Sequence, residues 1–470
     1  MSKLGTARNP VRAAIVGSGP SAFYAAEALL ESEPVVLVDM FERLPTPFGL
    51  VRSGVAPDHP KLKEPIRVYQ QIAGAPQFRF LGNVTVGRDL TVEELKACYH
   101  AVVFACGAET DRRLGIPGEH LAGSHAATEF VGWYNGHPDY RDRVFDLSQE
   151  TAVVIGQGNV AVDVCRILCK TADELTHTDI AGHAFEVLAQ SRVRDVYMMG
   201  RRGPAQAKFT HQELREFGTL ADCDPVVAPG DLELNPASRE ELADRSNRAS
   251  AKSYEVLQRF AARPVPTRQR RCHILFLRSP KELKGEKRLE RVVLARNRLE
   301  GEPFRQVARE TGEIEELACG VLFRSIGYRG AAIPGVPFDD HRGVIPHRDG
   351  RIVDGQNVVF GLYVTGWIKR GPTGIIGTNR ADSVATVTSL LSDLPNLPAG
   401  ANSGAEGLTA LLQSRGVRVV SYADWQKIDA AEVRRGEAAG KPREKFTRVE
   451  EMLEVVTRDI RRTELASTFE

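Results

Sequence analysis

RAAIVGSGPSAFYAAEALL (residues 12–30) divides into an apolar run, a turn built on glycine, and a longer apolar run. Read together, they predict a strand, a tight turn and a helix. Gly17 permits the turn, and Gly19 lets backbone amides approach a pyrophosphate at the helix N-terminus. Pro20 and Ser21 open the helix, and Ala22 is the small residue that lets helix and strand pack closely. TAVVIGQGNVAVDVCRILC (151–169) repeats the pattern. Gly156, Gly158 and Ala161 take the same parts there, and Asn159 and Val160 lend amides at the helix start. Two such turns, each in strand–helix context, predict two dinucleotide-binding units.

The chain outside these units keeps the same alternation. Apolar strands are expected at 34–42, 101–108, 193–203 and 357–367, the last leading into a second glycine loop, IKRGPTGIIGTN. The expected fold is therefore α/β, with parallel sheets covered on both faces and two Rossmann-like units. Residues 228–256 are polar and read as a helical surface excursion. After 395, a Pro/Gly/Asn/Ser linker precedes a strand and amphipathic helices.

The end of the second strand in each unit distinguishes their ligands. In the first unit it carries Glu42, placed to hold a ribose, with Asp39 as the other candidate. In the second it carries Gly200, Arg201 and Arg202 and no acid. Two guanidiniums suit a 2′-phosphate, whereas an acid would bind a free 2′-hydroxyl. The second site is therefore expected to take NADP(H); the ordinary alternative is a solvated arginine pair. A long insertion (171–192) disturbs the usual spacing of this unit. Two sites in one chain point to a flavin in one, a nicotinamide visiting the other, and hydride passing between them.

Composition narrows the field. A chain of 470 residues is too long for one ordinary core and suggests two or three domains. The net charge of +1 excludes a polyanion binder of uniform charge, and no basic groove with interleaved aromatics suggests nucleic acid. The seven cysteines include no Cys-x-x-Cys pair, which argues against a disulfide reductase and an iron–sulfur cluster, and no metal site is expected. Cys165 and Cys169 read as small core residues. RPVPTRQRRCHILFLR (263–278) holds Arg263, Arg268, Arg270 and Arg271 without an acid, and reads first as a solvated face. No apolar run approaches the roughly 20 residues of a membrane span. The opening MSKLGTARNP has no signal-like core, so a cytoplasmic protein is expected, or an organellar one that has lost its targeting peptide.

PTPFGLVRSGVAPDHPKLK (45–63) is a connection stiffened by four prolines, with His59 near its end. Together with GSGPSAFYAA, GQGNVAVDVCRIL, GRRGPAQAKFTHQELRE and GWIKRGPTGIIGTN, its segment PFGLVRSGVAPDHP resembles the adrenodoxin reductase family, whose bacterial members are ferredoxin–NADP reductases. The resemblance runs from about residue 10 to 390, and DWQKIDAAEVRRGEAAGKPREKF (424–446) resembles the bacterial members too. It implies a glutathione-reductase-like fold with a discontinuous FAD domain, 1–108 and 330–470, and an NADP domain, 109–329, inserted between. It implies non-covalent FAD, NADPH as hydride donor and an acidic iron–sulfur ferredoxin met by the basic window.

The resemblance also assigns residues. Ser21, Glu42, Leu50, Val86, Gly366, Trp367, Gly374, Ile375 and Ile376 would contact FAD. Gln157, Gly158, Asn159, Val160, Arg201, Arg202, Glu213 and Gly374 would contact NADP(H). His59 and Asp163 would lie by the flavin, as a water-linked pair that tunes the chemistry. Taken alone, Asp163 is equally an acid of a helix's first turns, and Glu213 an exposed helical acid. A flavin-binding redox sensor without ferredoxin turnover, or another NADPH-dependent flavin reductase, is the alternative reading.

Overall fold

The computed structural model describes residues 3–374, 376–397 and 403–457. Val11–Val16 is an interior strand of a seven-stranded sheet. On one side it pairs in parallel with Val36–Glu42, which in turn pairs with Phe78–Gly82. On the other it pairs with Ala101–Phe104. The next strand along is Asn357–Val364, in register Leu362 with Val102 and Val364 with Phe104. The sheet is thus completed by chain from far downstream, and an antiparallel edge, Arg351–Asp354 and His347–Arg348, ends it. Ala101–Phe104 is buried at every residue, as a strand covered on both faces must be.

The second sheet has six strands in the order Ser124–Ala126, Val321–Arg324, Thr151–Ile155, Asp195–Met199, Arg270–Leu275, Cys223–Val226, all paired in parallel. A three-stranded antiparallel sheet, Arg278–Lys284, Arg291–Glu300 and Val307–Ala318, packs beside it. The strand order reverses at Val11–Val16 in one large sheet and at Thr151–Ile155 in the other, which opens a crevice at the strands' carboxyl ends. The two crossings between the sheets run side by side, with Thr110–Asp111 paired antiparallel to Tyr328–Arg329.

Two regions add to or alter the expected pattern. The insertion at 171–192 forms helices Ala172–Thr176 and Gly182–Ala189. The strand expected after 395 is a single bridge, Gly82 with Val420, between helices Ala405–Ser414 and Tyr422–Ala438. An isolated bridge suffices because Val420 only has to cover the edge left by Phe78–Gly82.

The 45–63 connection is packed, not looped out. Phe48 has φ 85° and Gly49 φ 49°, and a Cβ on Gly49 would lie 3.0 Å from Gly19 Cα. The connection therefore runs against the first glycine turn, and glycine is required at 49. The helix Tyr422–Ala438 holds it from behind. Arg52 forks onto Glu432 at 2.9 and 2.6 Å and lies 5.0 Å from the Trp425 ring, while Phe48 meets Trp425 edge-on at 5.9 Å. Lys63 meets Asp179 on the far side at 2.7 Å, and Lys445 joins both ends through Arg52 O and Asp179.

Glu432 is wholly buried. Removing one partner of a buried pair leaves the other charge uncompensated, at a cost of about 3–5 kcal/mol. Glu432→Ala should therefore lower thermal stability by that order, measured by calorimetry. A melting temperature equal to the wild type's would show that Arg52 finds another partner.

Candidate active site

The crevices of the two sheets face each other and form one cleft of about 960 Å³. The first sheet supplies Gly17, Gly19, Pro20, Ser21, Glu42 and Val86 to its wall, and the 45–63 connection supplies Leu50 and His59. Trp367, Gly374 and Ile376 arrive from downstream, and Asn159, Val160, Asp163 and Glu213 close the opposite side. Gly366 lies just beneath, its amide donating to Asp382 at 2.6 Å, with Ser21 so near that a Cβ would fall 2.3 Å from its hydroxyl. Gln157 and Gly158 do not line the cleft themselves but directly precede Asn159 and Val160, which do. The Gln157 side chain turns inward to donate to Leu275 O at 2.8 Å. Arg201 and Arg202 lie beyond the cleft, exposed and half-exposed, and among the described residues neither guanidinium has a partner. Ile375 falls outside the described residues.

The glycines divide into two kinds. Gly17 has φ 106° and Gly156 φ 141°, and Cβ atoms there would lie 2.6 Å from Ala105 O and 2.1 Å from Ser325 O. The protein's own backbone excludes a side chain at both. A Cβ on Gly19 or Gly158 would meet nothing within 4 Å. Each of these two is the N-cap of a helix, Pro20–Leu30 or Asn159–Cys169, and neither helix has a side-chain cap. Open space in front of uncapped helix amides fits a pyrophosphate at each turn. Two buried polar atoms in the cleft, Trp367 Nε1 and Asn135 Oδ1, lack protein partners, which also fits bound polar ligands.

Glu42 is positioned for a ribose: its carboxylate accepts from Ser18 Oγ at 2.6 Å and Leu44 N at 3.0 Å, and burial raises its pKa. Asp39 is committed elsewhere. It pairs with Arg79, its neighbour across the sheet, at 2.7 Å and accepts from Tyr99 Oη at 2.8 Å. Cys106 lines the cleft, but burial pushes its thiol up to about 12, so it is held protonated and unreactive.

At the junction of the two walls lies a charged cluster. His59 Nε2 stands 2.8 Å from Glu216 and 3.6 Å from Glu213. The water-linked partner expected from the resemblance was Asp163; the direct partner is Glu216, one helical turn beyond Glu213. Arg166, wholly buried, forks onto Asp58 at 2.7 and 3.0 Å and comes within 2.8 Å of Asp163, 3.5 Å of Glu213 and 3.3 Å of Glu216. The Asp163 contact is a charge contact without an aligned N–H, so that carboxylate oxygen keeps a free acceptor site. Burial would raise Asp58, but the Arg166 guanidinium outweighs it and holds the carboxyl at about 2. Burial raises Asp163 outright, and burial together with Asp163 lifts Glu213 to about 7. Burial disfavours the His59 cation, yet the bond to Glu216 raises it on balance. Asp58, His59 and Glu216, and likewise His59, Asp163 and Glu213, bring ligand atoms within 4.8 Å. The Arg166 guanidinium is already the cation among them.

Sequence reasoning did not name Asp58, Arg166 or Glu216 as site residues. The only local signal was Arg166 three residues after Asp163, on the same helix face. Thr128, Asn135, His137 and Tyr140 also line the cleft from the helix Ala127–Tyr134 and the turn after it, and no motif marked them.

The two glycine classes predict different defects. Gly17→Ala should destabilise the fold by about 1–3 kcal/mol, because it forces a side chain into positive φ. Gly19→Ala should leave the melting temperature of ligand-free protein unchanged and weaken flavin binding at least about tenfold, since a clash with a bound group costs more than about 1.4 kcal/mol. Equal losses of stability in both variants would contradict this division.

Glu213 gives a pH signature. Its folded pKa of about 7 lies above its ordinary 4.5, so the folded state keeps a proton that the unfolded chain releases between those values. Its contribution to stability therefore falls as pH rises through that window. Glu213→Gln removes the loss, so the stability of the variant relative to wild type should grow from pH 4.5 to about 7 and level off above it. Urea unfolding across the range measures this, and a constant difference would be the contrary result.

The comparisons agree with this geometry. A family model described as pyridine nucleotide-disulphide oxidoreductase matches residues 11–201. NADPH-ferredoxin reductase FprA of Mycobacterium tuberculosis (strain ATCC 25618 / H37Rv) is 46% identical over 458 residues, covering 95% of this chain and 99% of that protein. The mitochondrial NADPH:adrenodoxin oxidoreductase of Homo sapiens is 46% identical over 455 residues, 94% of this chain and 91% of its own length. The solved structure of Mycobacterium tuberculosis FprA in complex with NADPH matches with a TM-score of 0.90 at 45% identity, over 96% of this chain and 100% of that one. With two facing dinucleotide turns, no cysteine pair at the cleft and relatives matched nearly end to end, the chain belongs to the adrenodoxin reductase family of NADPH-dependent ferredoxin reductases.

Proposed function

We propose that the chain is an FAD-containing ferredoxin–NADP(+) reductase, moving hydride between NADPH and FAD and single electrons between FAD and an iron–sulfur ferredoxin. The observation that carries the reading is the pair of uncapped glycine turns opening on one cleft, with Glu42 closing the second strand of one unit and two unpartnered arginines closing that of the other. When bound, the two dinucleotides supply the redox chemistry, so the protein's task is alignment and exclusion of water. Glu42 accepts from ribose hydroxyls, and the amides after Gly19 meet the flavin pyrophosphate. Ser21, Leu50, Val86, Gly366, Trp367, Gly374 and Ile376 hold the flavin half. Gln157, Gly158, Asn159 and Val160 hold the second pyrophosphate, and Arg201 and Arg202 the 2′-phosphate. His59, Asp163 and Glu213 border the reacting rings and set the charge and proton affinity there.

The rest of the reading follows the same lines. The division into 1–108 with 330–470 and 109–329 is supported by the two crossings paired at Thr110–Asp111 and Tyr328–Arg329. Seven unpaired cysteines fit the reducing cytoplasm; among the described residues no helix is long and apolar enough to cross a membrane. An acidic ferredoxin would dock on Arg263, Arg268, Arg270 and Arg271. Arg268 and Arg271 are partly spent on Asp224 and Asp195, and Arg270 on the carbonyls of Cys169 and Lys170; Arg263 is exposed and held only by a 3.4 Å bond to Gly218 O and by the Phe260 ring, so it is the freest of them.

Purified protein should be yellow, should bleach with NADPH without oxygen, and should reduce cytochrome c only when a ferredoxin is added. Bleaching without ferredoxin-dependent turnover would leave only a flavin reductase or sensor. Replacing Arg201 and Arg202 by Ala should raise KM for NADPH by about tenfold or more, given about 1.5–3 kcal/mol for a charge-assisted bond, and leave KM for NADH unchanged. In the same assay, Arg263→Glu should raise KM for ferredoxin and not for ferricyanide.

A further inference from the structure

Arg166 is among the largest fully buried side chains of the protein. Burying a guanidinium costs several kcal/mol unless its partners are well placed. Three of the acids around it, Asp163, Glu213 and Glu216, sit on helices of the second sheet, Asn159–Cys169 and His211–Glu216, and Arg166 itself lies on the first of these. The fourth, Asp58, belongs to the 45–63 connection, packed on the first sheet. The contact with Asp58 is also the one with paired, aligned N–H bonds, Nε to Oδ2 at 2.7 Å and Nη2 to Oδ1 at 3.0 Å. Lys170, one turn further along the helix, supports the same carboxylate at 3.5 Å. The side chains of Arg166 and Asp58 are 1% and 7% exposed, against 39% for Glu216 beside them, so water competes least for this pair.

The helix Asn159–Cys169 therefore does two things at once. Its N-terminus opens on the cleft beside Gly158, and its third turn grips the connection that carries Leu50 and His59 into the same cleft. A short straight helix transmits position with little compliance. The function proposed above, on which this inference rests, needs two rings stacked at a set distance, one held from each end of this strut. We infer that Arg166 is a positioning residue for hydride transfer, which through its paired bonds to Asp58 fixes the flavin-side connection against the helix that presents the nicotinamide dinucleotide.

The test uses the FAD-loaded protein with two variants. Asp58→Asn keeps shape and loses the charge that Arg166 grips, and Arg166→Lys keeps charge and loses the fork. Limiting rates of anaerobic flavin bleaching by NADPH, dissociation constants for NADP+ and rates of bleaching by dithionite are measured for each. A misplacement of about 1 Å costs about a hundredfold in rate, so Asp58→Asn is expected to slow bleaching by NADPH between about tenfold and a hundredfold. NADP+ affinity and bleaching by dithionite should stay within about threefold, a shift worth under about 1 kcal/mol. The double variant should be no slower than the slower single one, because both remove the same contact.

A merely structural role would lower FAD content and melting temperature, and leave the limiting rate of the molecules that keep FAD unchanged. That result, or a loss confined to NADP+ affinity, or additive effects in the double variant, overturns the inference. Should Arg166→Lys fail to hold FAD, Asp58→Asn decides alone. A wild-type protein that NADPH does not bleach would overturn the function and this inference together, which separates the two failures.

Discussion

The cleft depends on a connection held between two sheets by buried charge. Residues 45–63 could not stay there on hydrophobic contact alone, because their backbone carries polar groups into a crowded place. Arg52 and Glu432 tie the connection to the helix Tyr422–Ala438, Lys63 ties it to Asp179, and Asp58 ties it to Arg166. Each pair lies largely out of water, where it gains strength only if geometry and further bonds are good. They are good here: Glu432 also accepts from Phe446 N and meets Arg443, and Asp58 also meets Lys170. The prolines of the connection lower the entropy lost on ordering it, and the charges fix where it goes.

Given that wall, the two glycine turns solve one problem twice. The first glycine of each pair yields to the backbone behind it, and the second leaves room in front of helix amides. What differs is the next strand's end. One unit closes on Glu42, oriented by Ser18 and Leu44, and the other on arginines with no protein partner among the described residues. Shape is shared, while the charge at the strand ends is opposite.

The paired turns, their strands and the family were legible because they depend on local rules: apolar runs, glycine spacing and the acid or base that closes a strand. Residues named from motifs, such as Leu50, Val86, Asp163 and Trp367, do converge on one cleft. The spacing after Gly19 already favoured Glu42 over Asp39; what it could not carry is the reason Asp39 is occupied, Arg79 lying opposite it in the neighbouring strand. The arginines of 263–271 looked alike in sequence, yet two pair with acids, Arg270 caps carbonyls, and Arg263 stays exposed. Asp58 and Glu216 gave no signal, because each gains its meaning from a residue on another element.

Sequence alone therefore determined the α/β architecture and the two dinucleotide units. These rest on backbone sterics and on the period of apolar residues, both written within a few consecutive positions. Tertiary structure decided which acids meet Arg166, which partner His59 takes and how the two units are locked face to face. Those contacts join residues far apart in the chain, such as Arg52 with Glu432. Their electrostatic strength is set by burial, a property that no short stretch of sequence carries.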